Sequence, residues 1–253
     1  MLLKVKPISF VLATLVIGLP TSLLAQAKAD EPISKVSIVQ IPSIGCESDG
    51  QMGPIPAPKE TEKPVQLDSA VAQRLAYYGD DVLAPRGWFC FGTYGSNGTN
   101  LYVSPKPIKK EDLFSASWKG FTGPAIQAGR IFGETSGRFE VAQFVARVFP
   151  AQRAFVQDII KEEIEPASDF PFGPYPKDQL SYRNDKIVEY ITPSNSKGLG
   201  TMSQLHKNNN PISGVVRIDG QVSNGISFIA IRLPSNMNDL TSTIIQQFEQ
   251  DTQ

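Results

Sequence analysis

Residues 86–104 run Arg86-Gly-Trp-Phe-Cys90-Phe-Gly-Thr-Tyr94-Gly-Ser-Asn97-Gly98-Thr-Asn100-Leu-Tyr-Val-Ser104, and the reading of this stretch decides the fold class. Its first part, to Tyr94, is rich in aromatic side chains, which suit a pleated, half-buried surface, and it reads as a core strand. Asn97-Gly98 is a favoured pair for a type I′ turn, whose two central residues both need positive φ. Asn100 to Ser104 then returns as the second strand of a hairpin. Gly92, Gly95 and Gly98 imitate a glycine-rich phosphate loop, but such a loop needs a following helix whose N–H groups point at the anion. A strand follows instead, and no P-loop lysine is in place.

Upstream, Asp68-Ser69 can cap a helix running to about Tyr78, with Val71, Leu75 and Tyr78 on its buried stripe, and Gly79 stops it. Ser34 to Ile41 reads as a first strand with Val36 and Ile38 on one face. Between them, Pro54, Pro56, Pro58 and Pro64 predict extended, irregular backbone. Downstream, Ser136 opens a helix on which Val141, Phe144, Val145 and Val148 share a face. Pro150 suits the first turn of a second helix with Val156, Ile160 and Ile164 as its stripe, ended by Pro166. Strands are expected at Ile187–Ile191, Gly214–Asp219 and Ile226–Leu233, and a last helix, capped by Ser235 or Asn236, carries Leu240, Ile244 and Phe248. Helices that do not alternate regularly with strands predict an α+β fold, an antiparallel sheet with helices packed on it.

The chain has two cysteines, Cys46 and Cys90. Its start carries Lys4 and Lys6, an apolar run from Ile8 to Leu19, the breaker Pro20 and the small-x-small sequence Ala25-Gln-Ala27, which together read as a cleavable secretory signal over 1–27. Ala27-Lys-Ala29 is a second cleavage choice. An even cysteine count in an exported chain favours a disulfide, with two separately buried thiols as the alternative. Tied in this way, residues 28–66 form a leading strand and a proline-rich segment strapped to the body, and 67–253 form a single α+β domain. Of 24 basic and 25 acidic side chains, cleavage removes two lysines and leaves a net charge near −3. That balance offers no basic footprint for nucleic acid and no polybasic patch for anionic lipid. No segment after the leader is long and apolar enough for a transmembrane helix.

The stretch from Ala84 to Gly98, with Thr192-Pro193, Gly198-Leu-Gly-Thr201, Pro211-Ile-Ser-Gly214 and Arg232-Leu-Pro234, resembles a family of exported bacterial proteins that carry no assigned function. The pieces span most of the chain beyond the leader. The resemblance implies a bacterial envelope or secreted protein and one continuous domain. It implies no activity and assigns no residue a role.

The residues themselves support no catalytic set. A serine hydrolase would need His206, the only histidine, as its base, yet it sits in a polar, turn-prone segment and no G-x-S-x-G elbow exists. One histidine and two paired cysteines leave zinc without ligands, and no calcium loop is present, so neither metal nor cofactor is implied. Glu134 with Glu140, or Asp158 with Glu162, could serve as a pair of acids, but acids spaced along a helix more often form a solvated face. The segment Asp169-Phe-Pro-Phe-Gly-Pro-Tyr-Pro176 is the strongest binding candidate. Prolines stiffen a ridge bearing Phe170, Phe172 and Tyr175, which either meets a ligand or partner or folds back over the sheet. The expected function is therefore an exported, periplasmic rather than extracellular, cell-envelope protein in a binding or structural role. Its partner would be an envelope protein or a small polar ligand. A hydrolase using His206 or an acid pair is the alternative.

Overall fold

The computed structural model describes residues 36–79 and 81–251. The leader read at 1–27 and the first residues of the strand expected from Ser34 lie outside them. The chain runs through β1 (Val36–Ile44), β2 (Ser48–Gly50), β3 (Thr61–Asp68), α1 (Ser69–Ala72), β4 (Leu75–Tyr78), β5 (Val82–Pro85), β6 (Phe89–Gly95) and β7 (Gly98–Ser104). It continues through α2 (Lys110–Leu113), β8 (Ala125–Phe132), α3 (Arg138–Val148), α4 (Arg153–Lys161), β9 (Gln179–Tyr182), β10 (Ile187–Thr192), β11 (Ile212–Ile218), β12 (Gly225–Arg232) and α5 (Thr241–Asp251). Four strands form one sheet in the order β3-β1-β4-β5, and eight form another in the order β2-β6-β7-β8-β12-β11-β10-β9. Among the pairings of these described strands, only β1–β4 and β2–β6 are parallel. The fold is thus α+β with a mainly antiparallel sheet, as its sequence predicts.

Both faces of the larger sheet are covered. Ile229 and Ile231 of β12 share a core with the smaller sheet, with Leu240 just before α5, and with Ile244 and Phe248 of α5. The alternate residues Ile226, Phe228 and Ala230 face α3 and α4. A strand buried on both faces loses the apolar–polar alternation of a half-exposed one, which is why β12 reads Gly-Ile-Ser-Phe-Ile-Ala-Ile-Arg with every residue buried. The stripe expected on α3 is in place, since Val141, Phe144, Val145 and Val148 are all buried, and the Phe144 ring stacks on Phe228 with centroids 5.3 Å apart. Cys46, between β1 and β2, is bonded to Cys90 on β6. It joins the strap that leaves the smaller sheet to the strand next to the edge of the larger one.

Several local expectations need correction. Asp68 does cap a helix, its carboxylate accepting from Ala70 N at 2.8 Å, but α1 lasts four residues. Leu75 to Tyr78 form β4, buried on both sides, a setting in which apolar periodicity cannot separate strand from helix. Tyr78 is fixed there by donating to Pro85 O and accepting from Trp88 N, both at 2.9 Å. The β6–β7 hairpin turns on Ser96-Asn97, not Asn97-Gly98, because Gly95 pairs with Gly98. Neither turn residue has positive φ; Gly98 does, at 149°. A Cβ on Gly98 would lie 2.2 Å from Arg130 O, so glycine is required for the close approach of β8 rather than for the turn. On α4, Ile159 is buried beside Val156 while Ile164 is exposed, because the helix has already ended at Lys161. The proline-rich stretch leads into β3, an edge strand, where Pro64 is tolerated.

Candidate functional site

The aromatic segment Asp169–Pro176, the binding candidate of the sequence, lies against α3, whose apolar stripe is flanked by a polar one at Glu140, Gln143 and Arg147. Gly173 N–H donates to Ala146 O at 2.9 Å, and Arg147 Nη1 donates to Gly173 O at 3.3 Å. The segment is thereby strapped to the helix. Its three aromatic residues have separate fates. Phe170 is 1 % exposed and belongs to the core. Phe172 is exposed, with the Arg153 guanidinium 4.0 Å from its ring centroid. Tyr175 is half-buried beneath the Arg147 guanidinium, 4.1 Å away. Of the three, Tyr175 lines a cleft beside α3. That cleft, of about 440 Å³, is bounded by α3, by Ser168 to Tyr175 and by the 3₁₀ turn Leu199–Met202.

The turn is held from beneath. Asp178 accepts from Leu199 N at 2.6 Å and from Thr192 Oγ1 at 2.8 Å, while Thr192 Oγ1 accepts from Gly200 N at 2.9 Å. Burial raises the Asp178 pKa against the pull of these donors. The arrangement sets Thr201 and Met202 on the cleft wall opposite Tyr175. Charges of both signs converge there: Glu140 and Asp169, Arg147 and Lys197. Glu140 stands apart from Asp169 and Lys197, which are exposed, because it is half-buried while its carboxylate makes no hydrogen bond or ion pair among the described residues. Burial pushes its pKa above the ordinary carboxylate value. Such a lining suits a ligand with donors and acceptors rather than an apolar one.

The remaining candidates fall elsewhere. His206 is exposed and lines none of the cavities named here. Its backbone is what the fold uses: His206 N donates to Phe121 O at 3.0 Å and its carbonyl accepts from Arg232 Nη1. Glu134 is exposed, Asp158 pairs with Lys161 at 2.7 Å, and Glu162 is gripped by Arg138 at 2.6 Å, which holds its carboxyl below the ordinary range. Neither acid pair faces a common cleft. Gly92, Gly95 and Gly98 lie in the β6–β7 hairpin, with a strand after them. No cluster of potential metal ligands occurs among the described residues.

Two larger depressions escaped the sequence reading. One, of about 690 Å³, runs between α5 and the face of β9, β10 and β11, with Ile191, Ile231 and Ile245 among its walls. The other, of about 800 Å³, lies at the opposite end of α5 beside Asp219, which is held by Ser227 Oγ at 2.8 Å and by Arg130 Nε at 3.2 Å. The signal for the first was present in α5, where Thr241, Ser242 and Gln246 accompany the buried stripe. No family model, curated protein or solved structure matches this chain.

Proposed function

We propose that this is an exported protein, periplasmic rather than released to the medium, that binds a small polar ligand in the α3 cleft without transforming it. Export is supported by the disulfide that joins Cys46 and Cys90, a bond that persists in oxidising compartments. The reading rests on Glu140. A half-buried carboxylate without a partner costs stability, and here it faces a cleft that also presents Gln143, Arg147, Lys197 and Tyr175. A ligand donor, an ammonium or a hydroxyl, would supply the hydrogen bond the protein leaves open. Arg147 and Lys197, which line the same cleft, would meet the ligand's acceptors.

The test is calorimetric titration of the chain from residue 28 onward with amino acids, sugars and polyamines. Saturable binding is expected for at least one class, lost in Glu140→Ala and Tyr175→Ala and kept in His206→Ala. A panel in which nothing binds overturns the reading, as does turnover of a substrate that disappears in His206→Ala.

A further inference from the structure

Four strand edges terminate the two sheets, and the chain closes or blunts three of them. β3 carries Pro64 among charged neighbours, β5 is buried along its whole length, and β2 is capped by reciprocal backbone bonds between Ser48 and Ile55 at 3.0 and 2.7 Å. β9 has none of these protections: it contains no proline, and Gln179, Ser181 and Tyr182 are exposed. Its register shows which backbone groups are open. Arg183 N donates to Ile187 O at 3.0 Å, and Ser181↔Glu189 and Gln179↔Ile191 follow in the same phase. In an antiparallel ladder the intervening residues point the other way. The N–H and C=O groups of Leu180 and Tyr182 therefore face outward and meet no partner among the described residues.

We infer that β9 pairs antiparallel with β9 of a second copy of this chain, joining two eight-stranded sheets across a two-fold axis at Ser181. An isologous contact must be self-complementary, and this edge is. Leu180 of each copy exchanges backbone hydrogen bonds with Tyr182 of the other. Lys177 and Asp185 lie four positions either side of Ser181, both exposed and neither in an ion pair among the described residues. The antiparallel arrangement brings the Lys177 end of one copy against the Asp185 end of the other, twice. A four-residue edge is smaller than a standard interface, so the dimer belongs to the weak, concentration-dependent class.

Ser181 faces its own counterpart as a non-hydrogen-bonded pair, with Cα atoms about 4.5 Å apart, within disulfide reach. Under mild oxidation Ser181→Cys is expected to give a covalent dimer on a non-reducing gel, while Ser117→Cys, exposed but remote from β9, stays monomeric. In sedimentation equilibrium the wild-type chain dimerises with rising concentration. Lys177→Asp weakens that association several-fold, and Lys177→Asp/Asp185→Lys restores it. A chain that stays monomeric throughout, with Ser181→Cys cross-linking no faster than Ser117→Cys, overturns the inference. So does a dimer indifferent to the charge reversal, or an introduced thiol at 181 captured only by foreign polypeptide.

Discussion

Removing the Cys46–Cys90 bond should lower stability by about 4 kcal/mol. The sequence separation is 44, and closing a loop of about that size removes roughly 13 cal/mol/K of denatured-state entropy in the chain-entropy treatment. For a domain of this size that corresponds to a fall of about 8–16 °C in melting temperature. The closed segment contains β2, β3, β4 and β5, three of the four strands of the smaller sheet. The native contacts of that sheet do not need the bond, because Ile41, Leu75, Tyr77 and Trp88 already share a core with Val103 and Ile126 of the larger one. The loss should therefore arise chiefly in the unfolded ensemble. Urea unfolding of Cys46→Ala/Cys90→Ala against the oxidised chain tests this: the midpoint falls, and the slope steepens because an uncrosslinked denatured chain exposes more surface. A variant within 1 kcal/mol of the oxidised chain at unchanged slope would refute the reasoning.

Arg232 is buried, with its guanidinium donating to the carbonyls of Phe121, Gly123 and His206. Arg232→Met strands these acceptors and should cost about 3 kcal/mol in equilibrium unfolding; a loss below 1 kcal/mol would show that the carbonyls find other donors. Gly98→Ala meets Arg130 O at an unfavourable φ, and should destabilise by about 2–3 kcal/mol, read as a lowered urea midpoint; a neutral result would mean that β8 yields. Asp68→Ala removes the cap of α1 and should cost about 1 kcal/mol, with an unchanged midpoint counting against it. Burial holds the folded-state pKa of Glu140 above its unfolded value, so its protonation favours the folded state. That contribution is complete below the unfolded pKa and is lost as pH rises through the folded one. Glu140→Gln should therefore stabilise the chain at pH 7 by about 0.5–1 kcal/mol, an advantage that fades in acid; a gain independent of pH would assign it to packing.

What the sequence discloses and what it hides follow from the range of the forces involved. The β6–β7 hairpin and the α3 stripe are legible because their patterns are local, aromatic density in two neighbouring segments and apolar residues one helical turn apart, although the turn falls one residue before the Asn-Gly pair. β8 is hidden because its polar letters are satisfied at a distance. Gln127 donates to Asn100 Oδ1 at 2.7 Å and accepts from Gln204 N at 2.6 Å, and Gly129 is pressed by the Phe228 ring, so close that a Cβ would lie 2.5 Å away. β4 is hidden because burial on both faces erases the period that separates strand from helix. The aromatic segment was conspicuous, but a proline-rich loop has no period to tell which ring turns inward, and only packing sends Phe170 to the core and Tyr175 to the cleft.

The acids make the same point for the site. Glu140 and Glu162 are equivalent in the sequence, each a glutamate in or at the end of a predicted helix. In the fold, α4 packs beside α3 so that its end reaches Arg138, and Glu162 is paired and held below its ordinary pKa. Glu140, two residues after Arg138 on the same helix, lines a cleft with residues of the 168–175 segment, has no ion pair among the described residues, and is held above its ordinary pKa by burial. One acid is thereby spent on joining two helices, and the other keeps no partner among the described residues. The distinction depends on which surfaces meet between stretches far apart in the sequence, and no pattern within either helix carries it.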